Sequence, residues 1–170
     1  DVCSSDLADL ALGVPTDLAP SSGLSLQEMG SVDFVFAVAP HHPLASAKEP
    51  LDSEEIQRHR AVAAADSSQR GRGVTVNLLP GQDVLTVATM QHKLEAQLRG
   101  LGCGWLPLPL ARPYLDAGRL VAKPVSQPRR NIRVGYVWRA GSGEGRALAW
   151  WLAQVEQPRT RLALLENHHQ

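Results

Sequence analysis

Apolar positions along the chain fall into short runs separated by Gly, Pro and Ser, with two longer stretches of helical period. Residues 8–14 form a short apolar run closed by Gly13 and Pro15, which predicts a buried strand. Residues 16–30 are rich in Ser, Gly and Pro and predict a loop. Residues 32–39, Val-Asp-Phe-Val-Phe-Ala-Val-Ala, are β-branched and aromatic and predict a second strand, ended by Pro40 and Pro43. Asp52 then offers an N-cap, with Glu55 placed for a capping box and Leu51 and Ile56 for a hydrophobic staple.

A second block follows. Strands are predicted at 61–65, 73–77 and 83–87, the last two around a Pro80-Gly81 turn. Thr89 is placed to cap a helix running to about Arg99. Met90, Leu94 and Leu98 share one face of it, and Gly100 follows its end. Residues 101–106 predict a buried strand stopped by Pro107, and 108–116 a short helix ending at Gly118. Strands at 120–125 and 132–138 precede a Gly-rich turn at 141–145. A final amphipathic helix over 146–156 carries Leu148, Trp151, Leu152 and Val155 on one face. Of the neighbours Trp150 and Trp151, only one can face a core squarely, so the other is expected to be partly exposed. Pro158 interrupts this helix, and 158–170 reads as a C-terminal tail. Short strands alternating with helices predict an α/β protein with a mostly parallel sheet, whose ligands bind beyond the carboxyl ends of the strands.

Composition narrows the function. The chain has 170 residues, 44% of them hydrophobic and 20% charged, so it can build a core. Seventeen basic residues balance seventeen acidic ones, which argues against a free-standing nucleic-acid binder or an anionic-membrane binder. No apolar run approaches the roughly 20 residues of a membrane span. Two cysteines are too few for a disulfide framework, which suggests a cytoplasmic setting. The opening Asp1-Val2-Cys3-Ser4-Ser5-Asp6-Leu7 matches the translation of a common sequencing adapter, GAC GTG TGC TCT TCC GAT CT. Residues 1–7 are therefore read as a scar on an incomplete gene, the alternative being a natural polar extension.

Catalytic chemistry is sparse. The adjacent His41 and His42 point different ways and read as surface residues, and His168 and His169 lie in the polar tail. No His, Cys and carboxylate set has metal-ligand spacing, so neither a metal nor a cofactor is expected. Cys103, between two glycines on an apolar strand, reads as a small core residue. Residues 141–145 lack the spacing and Lys of a phosphate loop. With no nucleophile–base pair, an enzyme is disfavoured. Two places suit a small ligand. Ser67 and Ser68 follow an apolar strand in a loop with Arg70, and Thr89 opens a helix whose free amides and dipole favour an anion.

Four segments in order carry a resemblance: Asp9-Leu10-Ala11-Leu12-Gly13, then Phe34 to Ala45 with its His42-Pro43-Leu44-Ala45, then Gly100-Leu101-Gly102-Cys103-Gly104-Trp105-Leu106-Pro107, and Ala117-Gly118-Arg119-Leu120-Val121. Over residues 8–157 the chain resembles the effector-binding domain of LysR-type transcriptional regulators. The resemblance implies two Rossmann-like lobes as in type 2 periplasmic-binding proteins. The first lobe, 8–60 with 123–157, would be incomplete, and 61–122 would form the second. It implies a small-molecule effector, an organic or amino acid anion, and a homo-oligomer (dimer or tetramer) in the full-length protein. Promoter DNA would be bound only through an N-terminal winged helix-turn-helix that this sequence lacks. The effector-binding stretches would be Gly13, Val14 and Pro15, then Ser67 and Ser68, then Thr89 and Met90, with Arg70 added on charge. Gln97 stands where the family usually has an apolar residue. The rival reading is a solute-binding protein of a transport system.

Overall fold

The computed structural model describes residues 9–17, 23–65, 78–127, 131–139 and 145–166. The predicted strand at 73–77 and the Gly-rich turn at 141–144 lie outside them. Contacts divide the chain into two units, residues 1–32 with 131–170, and residues 33–130.

The first unit holds strand β1 (Leu10–Pro15), the opening half of β2 (Leu24–Val38), β7 (Asn131–Arg139), and helices α4 (Arg146–Val155) and α5 (Pro158–Glu166). β1 runs antiparallel to β7, pairing Leu10 with Trp138 and Pro15 with Val134, with a register shift between Leu12 and Val14. Gly13 takes up that shift at φ +75°, a left-handed conformation that glycine adopts freely. β7 lies between β1 and β2. Gly135 makes this approach possible, because a Cβ there would run into the Gln27 carbonyl. Met29, Val134, Tyr136 and Val155 form the core, with Leu152, Leu164 and Leu165 packed against them.

Here the structure departs from the sequence expectation twice. The loop expected over 16–30 gives way to strand from Leu24 onward, because Leu26 and Met29 have β7 to lie against. Pro158 does not merely interrupt the final helix. It begins α5, since a first-turn Pro needs no N–H donor and presets the helical φ.

The second unit holds the rest of β2, a 3-10 turn (Pro43–Ala45), α1 (Ser53–Gln57), β3 (Ala61–Ala64), β4 (Val84–Val87), α2 (Met90–Leu98), β5 (Gly104–Pro107), α3 (Leu108–Asp116) and β6 (Val121–Ala122). Residues 34–38 of β2 pair antiparallel with β5 and β6, whereas β3 and β4 are parallel. In place of the expected mostly parallel sheet there are two, a five-stranded one in which β2 pairs antiparallel with β5 and β6, strands running back along it, and a parallel two-stranded one of β3 and β4. Successive β2 residues face opposite sides. Phe36 and Val38 join Leu44, Leu51, Ile56 and Cys103 on one side. Ala37 joins Leu94, Leu106, Ala111 and Leu120 on the other. The predicted strands at 101–106 and 120–125 are trimmed to β5 and β6, and Cys103 and Val125 make single bridges to Ala61 and Leu51.

The Asp52 cap forms, its Oδ1 accepting the Glu55 N–H at 2.8 Å. The Glu55 carboxylate turns to Arg58 and His59 instead of closing a capping box. Leu51 and Ile56 both enter the core, as the staple requires.

Candidate ligand-binding site

β3 and β4 run side by side from Ala61 and Val84 to Ala64 and Val87. The Ala65 N–H donates to the Val87 carbonyl at 2.7 Å, which closes the carboxyl end of the pair. Two residues after Val87 comes Thr89, the N-cap of α2. Thr89 has extended backbone, and its Oγ1 accepts the His92 N–H at 3.1 Å. The Lys93 N–H donates to the Thr89 carbonyl at 3.0 Å, the first i to i−4 bond of the helix. The amides of Met90 and Gln91 precede that bond and have no carbonyl a turn earlier within the helix. With the helix dipole they make this strand-end, helix-start corner suited to an anion. Thr89 is exposed, and Met90 is partly buried against the Leu94–Leu106 core.

The other expected site residues fall as follows. Gly13, Val14 and Pro15 belong to the first unit, in the bulged end of β1. Val14 pairs with Gly135, and the next amide, of Thr16, donates to the Arg133 carbonyl at 3.0 Å. Ser67, Ser68 and Arg70 lie outside the described residues. Thr89 and Met90 belong to the second unit.

Cys103 is fully buried, and burial pushes its thiol up to about 11, so it stays protonated and unreactive at neutral pH. Among the described residues, no group of three or more His, Cys, Asp or Glu is placed to hold a metal ion. In the same residues, no helix is long and apolar enough to cross a membrane.

Four polar side chains sit where the sequence pattern gave little notice. His42 is buried rather than on the surface. Its Nδ1 accepts the Leu44 N–H at 3.2 Å and caps the 3-10 turn. Lys123 is buried, donating to the Ala45 and Ala47 carbonyls at 3.1 and 3.0 Å and to Glu49 at 2.6 Å. Its trace in the sequence is a lone cation inside the apolar run 120–125. Gln97 is fully buried, and among the described residues neither of its amide atoms has a hydrogen-bond partner. Gln82 is buried too, but its Nε2 donates to the Ile56 and His59 carbonyls and its Oε1 accepts the Leu79 N–H. Trp150 and Trp151, of which one was expected to face the core, are both exposed. Their rings meet edge to face, because Leu148, Leu152 and Val155 take the inward stripe of α4.

The family model described as the LysR substrate binding domain matches residues 3–158. A relative in Escherichia coli K12, the uncharacterized HTH-type transcriptional regulator YeeY, is 37% identical over 155 residues. Those residues make up 91% of this chain and 50% of that protein. The regulatory domain of MetR, a LysR family regulator from Neisseria meningitidis, superposes with a TM-score of 0.72 at 18% identity, covering 96% of this chain and 78% of that one. Full-length LysG from Corynebacterium glutamicum with bound effector Arg superposes with a TM-score of 0.64 at 18% identity, covering 95% and 53%. The chain thus spans about half the length of the relative named here.

Proposed function

From the premise that this chain belongs to the LysR substrate-binding domain family, we propose that it senses a small organic or amino acid anion for a cytoplasmic transcription regulator and catalyses no reaction. The fold is the mixed α/β fold of LysR regulatory domains, which is of the type 2 periplasmic-binding kind. The match to regulators displaces the transport-protein alternative. The observation that carries the ligand reading is the start of α2. The Met90 and Gln91 amides, which have no intrahelical acceptor, stand just past the carboxyl ends of the parallel β3–β4 pair, where open α/β sheets take their ligands.

In this reading the ligand carboxylate meets the α2 amides and the Thr89 hydroxyl. Ser67, Ser68 and Arg70 add donors and charge. LysG, whose solved structure has bound effector Arg, supports a ligand that carries a carboxylate. In the whole protein the domain acts within a homo-oligomer, and promoter DNA is bound by a separate N-terminal domain.

The test uses the full-length regulator encoded by the intact gene. Small carboxylates and amino acids are screened by thermal shift, and hits are measured by calorimetry. Thr89→Val should weaken binding by about 1–2 kcal/mol, roughly 5- to 30-fold in Kd. Unchanged affinity with a lowered melting temperature would show that Thr89 only caps its helix.

A further inference from the structure

The His41-His42-Pro43-Leu44 turn joins two parts of the second unit that are far apart in sequence. The His42 Nδ1 accepts the Leu44 N–H, so that nitrogen carries no proton and the ring is neutral, with its proton on Nε2. Leu44 is fully buried in the core with Phe36, Val38 and Leu51. The neighbouring His41 lies on the other end of α2. Its Nε2 donates to the Arg99 carbonyl at 3.4 Å, and its ring covers Gly100, where any Cβ would collide with it. One side of the turn is thus fixed by a hydrogen bond to an unprotonated imidazole, and the other closes the last turn of a helix.

We propose that this turn is a proton-operated latch on the C-terminal end of α2, closed while His42 is neutral and released when it takes up a proton. A proton from solvent adds to Nδ1, which then faces the Leu44 N–H as a second donor, and the cap is lost. The ring of His59 stands 5.2 Å from that of His42, so the new charge also meets a second imidazole.

The charged groups around the turn do not offset this. Glu55 reaches His59, at 3.8 Å, and is itself held by Arg58. Lys123, held by Glu49, puts a further cation on the Ala45 and Ala47 carbonyls. Arg99 is paired with Glu95 at 3.8 Å. Among the described residues no carboxylate bonds His42 itself. Burial first, then His59 and His41, hold its imidazole below the ordinary value of 6.5. The unfolded chain therefore binds this proton more readily than the folded one. The closed turn is fully stable at neutral pH, and stability is lost as pH falls from 6.5 through the lower folded-state value. The latch goes beyond the effector reading and does not depend on it.

Amide hydrogen exchange on the 170-residue chain, at about pH 7.5 and about pH 5.5 and corrected for intrinsic rates, tests it. Protection at Leu44 and at Gly100 and Leu101 should fall together, by up to about tenfold for each pH unit between 6.5 and the lower folded-state value of His42. His42→Asn supplies an acceptor that does not titrate and should abolish the fall. Protection at Leu44 that ignores pH, or a fall that persists in His42→Asn, overturns the latch. Loss at Leu44 with Gly100 and Leu101 unmoved overturns its hold on α2. If His42→Asn does not fold, 15N titration of the His42 ring in the unaltered chain replaces it. A midpoint shared with the loss of Leu44 protection supports the latch, and a different midpoint overturns it.

Discussion

The single strand β2 is built differently in its two halves. Over residues 34–38 both faces are covered: Phe36 and Val38 enter one core, and Val35 and Ala37 pack into another. Over 24–32 only Met29 is buried, while Gln27, Glu28 and Ser31 are exposed. The helices beside this half leave large apolar groups in water, Trp150 and Trp151 on α4 and Leu162 on α5. A strand buried on both sides must be apolar throughout, so it writes a continuous string into the sequence. A strand buried on one side writes only every second letter.

The comparison breaks most visibly in the energetics of core truncation. Leu106→Ala, in the doubly packed region, should cost about 3 kcal/mol, and Leu164→Ala, partly exposed in the first unit, about 1 kcal/mol. Urea titration gives both, and equal costs would erase the distinction. Lys123→Met should cost about 2 kcal/mol, since it strands the Ala45 and Ala47 carbonyls that the ammonium satisfies. Because those bonds are buried, added salt should change the loss little. Gln97→Leu moves the other way and should raise stability by about 1 kcal/mol, by removing an amide that has no partner among the described residues. A loss there would mean that the amide is bonded in solution. The smallest thermodynamic effect belongs to Trp150→Ser with Trp151→Ser, expected within about 0.5 kcal/mol of the parent in unfolding. Its signature is hydrodynamic: the parent chain should elute early from size-exclusion columns as a self-associated species, and the double variant later.

The same contrast explains what could be read in advance. β3, β4, α2 and its caps depend on signals a few residues apart, with Thr89 three before His92 and Gly100 just past the last turn, and these were legible. The first half of β2 was hidden because Gly23, Ser25 and Gly30 dilute its alternation and its partner β7 lies about a hundred residues further on. His42 and Lys123 were hidden for another reason. Polar residues are read as exposed unless a partner is known, and here, Glu49 beside Lys123 apart, the partners are backbone carbonyls and an N–H, which leave no mark on composition. In the candidate site, the α2 start was legible because a cap and a strand end are local features.

The bulge at Gly13 has a consequence for how the chain meets copies of itself. β1 ends the strand order of its sheet among the described residues, and a regular strand there would be a template for cross-β growth. Gly13, at a left-handed φ, displaces the row of donors, and Pro15 removes one outright. A fibril seeded on this edge would have to begin on a broken ladder. Association of the chain should therefore be amorphous and reversible, with no thioflavin signal and no lag phase, and Gly13→Val with Pro15→Thr should create both.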